Sequence, residues 1–220
     1  EGRTRAFMTL IIDRFVGVFG LIVMAFLSLV LNHELILSQE RLHSLAWMIT
    51  ALFGCTVLFY MIVMYPFKDG HDPFIKLFHF LPGKKLSLKV YSSFKSFQHQ
   101  QTTLLLTLFL SIVLHTLIAL IFFYLAHLMG IKEMELATQF FLMPVGLITV
   151  AIPLAPGGIG IGHAAFESLY QLAGFSGGAD IFNLFIIVQL GVFLLGGIPY
   201  FLYSSKYKIP LEQQNIMEKN

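Results

Sequence analysis

A Pro-Gly-rich interruption over residues 153–160, Pro-Leu-Ala-Pro-Gly-Gly-Ile-Gly, splits the apolar stretch 139–173 into two arms. Neither arm, 140–154 or 164–173, has the ~20 residues that a helix needs to cross hydrocarbon. In lipid an unpaired amide or carbonyl costs several kcal/mol, so irregular backbone at membrane depth survives only inside protein or beside a water-filled cavity. Pro153 and Pro156 carry no amide hydrogen, and Pro156 turns Ala155 away from helix. Gly157, Gly158, Gly160 and Gly162 tolerate positive φ and close approach to the bare main chain. The pattern predicts two half-helices over 139–175, as a re-entrant hairpin or as two thin spans. The second arm then opens on unpaired N–H groups and a partial positive charge, an arrangement that receives anions. Transporters hold such ends against anionic substrate groups, and a phosphate headgroup fits. An ordinary loop between short spans is the competing reading, since Gly and Pro are common in membrane helices. His163 and Glu167 weigh against it: four residues apart, they share a helix face that opens at the break, and a carboxylate in apolar sequence is costly.

The rest of the composition sets the class. Of 220 residues, 57% are hydrophobic and 12% charged, with 23 Phe and a mean hydropathy of +0.79. Soluble domains carry about a quarter charged residues. The expected fold is all-α: a polytopic integral membrane helical bundle, one membrane domain over 1–220, with the broken or re-entrant pair near its C-terminus. The chain opens on Glu1 with no signal-peptide pattern, so a preceding portion is expected. The lone Cys55 sits in an apolar run and reads as packing. No Arg-rich face interleaves with aromatics, which argues against nucleic acid, and no metal or other cofactor is expected.

Four apolar stretches look long enough to span. The first, 15–31, follows Asp13 and Arg14; helical pattern from Ala6 would carry that pair below the headgroups, and Gly17 and Gly20 admit a neighbouring helix. The second, 44–65, has Trp47 near one end and Tyr60 and Tyr65 near the other, as interfacial aromatics should be. The third, 103–125, holds His115 near its middle, either a packed residue or a proton-relay or headgroup contact. The last, 181–203, carries Gln189, which could bond across helices or line the same cavity as His163.

Between the second and third stretches, 66–101 forms a basic connector. Lys68, Lys76, Lys84, Lys85, Lys89 and Lys95 face Asp69 and Asp72, a net +4 (six minus two). Leu86, Val90, Phe94 and Phe97 recur at spacings of four, four and three, an amphipathic helix. It either lies on an anionic leaflet, each lysine contributing ~1 kcal/mol, or is a solvated connector whose lysines fix topology. With the N-terminus, connector and C-terminal tail cytoplasmic, twelve of the 14 Lys and Arg lie inside, leaving Arg41 and Lys132 outside.

Asp13-Arg14-Phe15-Val16-Gly17 opening a helix and Pro156-Gly157-Gly158-Ile159-Gly160 late in the chain resemble, in that order, two elements of a known family. It is the transmembrane flippase region of lysylphosphatidylglycerol synthases and their stand-alone relatives. The chain looks like the C-terminal part of that membrane domain. The resemblance implies translocation of an anionic phospholipid or lipid-linked substrate across the bacterial cytoplasmic membrane. It adds Asp13 and Arg14 to the candidate binding set of Pro156, Gly157, Gly158, Gly160, His163, Glu167, Gln189 and His115. The chain departs from the family where relatives follow the glycines with Arg-Glu; here Gly162 and His163 follow, with Glu167 a turn later. Gln189 stands where relatives often have arginine. No synthetase-like soluble domain is present in these residues, so aminoacyl transfer is not assigned, and the chain reads as a transporter before an enzyme. A transferase acting on a lipid carrier, with Glu167 or His163 as base, and a non-catalytic partner of a lipid-modifying enzyme are the alternatives. A homo-oligomer stays open.

Overall fold

The computed structural model describes residues 2–38, 40–65, 72, 75, 84–95, 98, 101–152 and 158–203. They form helices α1 (Gly2–Leu31), α2 (His33–Ser38), α3 (His43–Met64), α4 (Lys84–Lys95), α5 (Gln101–Leu128), α6 (Leu136–Ala151), α7 (Ile161–Leu172) and α8 (Gly178–Tyr203). There is no strand among the described residues. Four stretches are long and apolar enough to cross a membrane: Ile12–Leu31, Glu40–Met64, Gln101–Leu128 and Gly178–Pro199. The fold is the all-α polytopic bundle that the composition predicts. Compact packing divides the chain into two units, Glu1–Phe182 and Asn183–Asn220.

The first unit is built on α1, which packs against α3, α4, α5 and α6. Leu21, Ile22, Met24, Ala25, Ser28 and Leu29 are buried along it, spaced so that more than one face is covered. Gly20 is where α5 crosses: a Cβ there would run into the Ser111 hydroxyl and stand 3.4 Å from the His115 ring. A glycine at this crossing lets the two backbones come close, as in other membrane helix pairs. Trp47 and Tyr65, at opposite ends of α3, are both exposed, as interfacial aromatics are.

The connector helix α4 does not stand free of the bundle. Tyr91 and Phe94 are buried against Val63, with Ile12, Ile62 and Met64 around them. Phe94 meets Phe15 of α1 edge-on at 5.2 Å and Phe59 of α3 at 5.6 Å. Asp72, itself buried, accepts a 2.9 Å bond from the Tyr91 hydroxyl and pairs with the Lys95 ammonium. Burial, and then the bond to the Asp72 carboxylate, push the Tyr91 phenol above its ordinary range. The predicted apolar position Phe94 thus faces α1 and α3; Phe97 and most of the segment preceding α4 lie outside the described residues.

Helices α6 and α7 run antiparallel. The Tyr170 hydroxyl donates to Gln139 Oε1 at 2.6 Å, the Phe166 ring covers Gly146, and Val150 lies 3.0 Å from where a Cβ on Gly162 would stand. At 16 and 12 residues these helices rise about 24 and 18 Å, short of the ~30 Å hydrocarbon core.

Candidate functional site

The interruption ends α6 cleanly. Pro144 inside the helix gives up one backbone bond, and Ile152 leaves α6 in extended conformation. Pro153, Pro156 and Gly157 lie outside the described residues. Beyond them Gly158 and Gly160 have φ of +71° and +87°, values that side chains other than glycine's rarely adopt. Gly158 has a second reason to be glycine, because the Val150 side chain fills the place of a Cβ.

Gly160 caps α7. Its carbonyl accepts the Ala164 amide at 3.0 Å, and its own N–H donates to His163 Nδ1 at 3.1 Å. Because Nδ1 accepts, the ring is held as the tautomer that carries its proton on Nε2. The edge contact with Phe182, at 5.1 Å and 88°, fixes the ring on its other side. His163 therefore stands at the opening of α7 and belongs to the architecture of the break.

Glu167 is engaged one turn further on. Its Oε1 accepts from the Gln171 amide at 2.9 Å, and its Oε2 accepts from the Ala179 N–H at 3.1 Å, in the first turn of α8. A carboxylate over the unsatisfied amides of a helix start is electrostatically favoured. The carboxylate thus ties α7 to the beginning of α8, where the periodicity had it share the opening face with His163. Phe122, Phe166 and Phe182 stack between α5, α7 and α8 at 4.8 and 5.0 Å and make the wall behind this joint.

Asp13 and Arg14 are exposed on α1. The Ser28 hydroxyl donates to the Ala137 carbonyl at 3.3 Å, which fixes the register of α1 against the antiparallel α6. Fourteen residues further along α6 is Ala151, and fourteen back along α1 is Arg14; each step rises about 21 Å. By that count the Asp-Arg element and the end of α6 lie at similar distances along their own helices from the Ser28–Ala137 contact. His115 is elsewhere, half-buried at the α1–α5 crossing with its Nδ1 3.3 Å from the Ser111 hydroxyl. Gln189 belongs to the second unit, on α8.

Sequence reasoning singled out neither Gln139 nor Tyr170. Both are fully buried, joined by their 2.6 Å bond, and the Gln139 amide nitrogen has no partner among the described residues. The available signal was a Gln at the start of an apolar arm, since a polar side chain in such surroundings must find a partner.

The profile described as the lysylphosphatidylglycerol synthase TM region matches residues 2–198. No curated protein and no solved structure matches the chain. With nearly its whole length matched and four helices able to cross a membrane, this is a multi-pass membrane protein, and it belongs to the lysylphosphatidylglycerol synthase transmembrane-region family.

Proposed function

We propose that the chain translocates an anionic phospholipid, or a lipid-linked anionic substrate, across the bacterial cytoplasmic membrane. What supports this reading is the opening of α7, where Gly158 and Gly160 have positive φ and the His163 ring stands at the helix start, together with the exposed Arg14 of the α1 motif. Amide donors of a helix start, a cation and the His163 ring are the groups a phosphate would use. With the N-terminus cytoplasmic, Arg14 stands at the cytoplasmic edge of the first span, within reach of headgroups in that leaflet. Asp13, Pro156 and Gly157 belong to this reading through their motifs in the sequence. Glu167 keeps α7 and α8 together, and the direct anion contacts fall to Arg14, His163 and the backbone. His115, half-buried on α5, serves a further headgroup contact.

The test is headgroup movement in liposomes reconstituted with purified protein, using a panel of fluorescent phospholipids. Losing a charged hydrogen bond costs ~1.5–3 kcal/mol, so Arg14→Ala should slow translocation about tenfold or more, and His163→Ala should slow it by a smaller factor. Unchanged rates in both variants would remove the site. A labelled lipid converted to a new species, with no change of leaflet, would move the protein to the transferase class.

A further inference from the structure

The part of α1 that carries Asp13 and Arg14 gains little support from the other spanning helices. No residue from Ile12 to Phe19 is buried, whereas Gly20, Leu21 and Ile22 are. Further along, α1 and α3 meet directly, with Phe26 stacked on Phe53 at 4.0 Å. Toward Phe15 they part: Phe19 stands 6.3 Å from Tyr60, and an apolar crevice of about 220 Å³ opens, with Phe15 and Phe19 on one side and Phe59 and Tyr60 on the other. Such a gap forfeits the dispersion contacts that would fix how one helix sits on its neighbour.

Helix α4 bridges the gap. Phe94 meets both Phe15 and Phe59 edge-on, an arrangement that aromatic rings favour, and Ile12 packs on the cluster that Phe94 and Tyr91 form with Val63. Ile12 and Phe15 immediately flank Asp13 and Arg14 in the sequence, and three residues apart they share a helix face. Both contacts of α4 therefore bear on the turn that presents the Asp-Arg pair. The bridge is itself pinned. Asp72 accepts from Tyr91 and pairs with Lys95, whose ammonium stands 5.6 Å over the Tyr91 ring. Just past α4, the Gln98 amide donates to the Met64 carbonyl of α3 at 3.2 Å.

We infer that Phe94, seated by the Asp72–Tyr91–Lys95 cluster, is a positioning residue for Arg14: it fixes the setting of the α1 turn from which the guanidinium reaches a headgroup. Arg14's part in this is the one the translocation reading gives it, and Phe94 and Asp72 act through that residue without touching the substrate. Displacement of a binding group by about 1 Å is enough to cost much of a rate.

The test separates the setting of the helix from transport. In a Cys55→Ser background, spin labels are placed at Arg14→Cys with Trp47→Cys, across α1 and α3, and at Arg14→Cys with Leu31→Cys, along α1; all three native side chains are exposed. Phe94→Ala and Asp72→Ala should each broaden the first distance distribution and leave the second as narrow as before, because α1 shifts as an intact helix. Phe94→Leu, which keeps the gap filled, should retain both. Asp72 does not line the crevice, so its variant decides where Phe94→Ala lowers the yield of folded protein. In the liposome assay Phe94→Ala should slow headgroup movement about tenfold with Arg14 present and less than about twofold in an Arg14→Ala background. An unbroadened distance between α1 and α3 in both variants overturns the positioning role, and so does equal slowing with and without Arg14. Absence of headgroup movement in the unmodified protein strikes the translocation reading instead, and the distances still decide whether α4 holds the turn.

Discussion

At Gly178 a methyl group would press on the carbonyl of Phe166 and stand 2.9 Å from the Tyr170 ring. The obstacle is backbone, which cannot swing aside, and Tyr170 is fully buried. At Gly17 a methyl group would meet nothing within 4 Å. Gly178→Ala should therefore destabilise the purified protein by ~1–3 kcal/mol, the usual cost of overpacking, read as a lower Tm in detergent. Gly17→Ala should change stability by less than ~0.5 kcal/mol, and an effect on transport without one on Tm would mark Gly17 as functional. The sequence points to Gly17 through its motif and passes over Gly178. Composition shows that a residue is small but not what faces it. The same limit applies at Glu167. Helical periodicity correctly puts it on the stripe of His163, yet a carboxylate reaches several ångströms, and the nearest amides belong to the start of α8.

The spans were legible element by element because their signal is local. Long runs without charge give α1, α3, α5 and α8, and two prolines with four glycines mark the gap between α6 and α7. The seating of α4 was not legible, since amphipathicity says that a face must be covered and not what covers it. Asp72, counted in the sequence only as a charge, is the buried anchor of that helix. Asp72→Ala removes the bonds that its carboxylate accepts from the Tyr91 hydroxyl and the Lys95 ammonium, a loss of ~1.5–3 kcal/mol for charged hydrogen bonds. The expected readout is faster amide exchange confined to α4, with the spanning helices unchanged; exchange rising evenly along the chain would contradict a local anchor. The pH sign follows from Tyr91. Its folded pKa is raised above the ordinary phenol value of about 10, so the stability linked to the phenol is complete below that pH and is lost as pH rises through the higher folded value. Alkaline release of α4 should thus begin above pH 10, and Tyr91→Phe should abolish that step.

On the scale of the whole molecule, topology and charge constrain each other. Four spanning helices return the chain to the side where it began, provided that α6 and α7 together make no net crossing. The antiparallel pairing of Gln139 with Tyr170 and of Gly146 with Phe166 supplies that return. The charge asymmetry predicts that Lys89 faces the cytoplasm and Lys132 the other side. The proposed site adds a depth requirement: with Arg14 near one end of the span Ile12–Leu31, on the side predicted to be cytoplasmic, the break must lie at that end too. Ile159, exposed in that break, is the place to test it. In a Cys55→Ser background, Lys132→Cys should react with a membrane-impermeant maleimide in intact cells, and Lys89→Cys only after permeabilisation. Ile159→Cys should behave as Lys89→Cys does. Labelling of Ile159→Cys from outside would instead mean a shallow hairpin that never approaches the cytoplasmic leaflet, and Arg14 could not then share a headgroup with the glycine break.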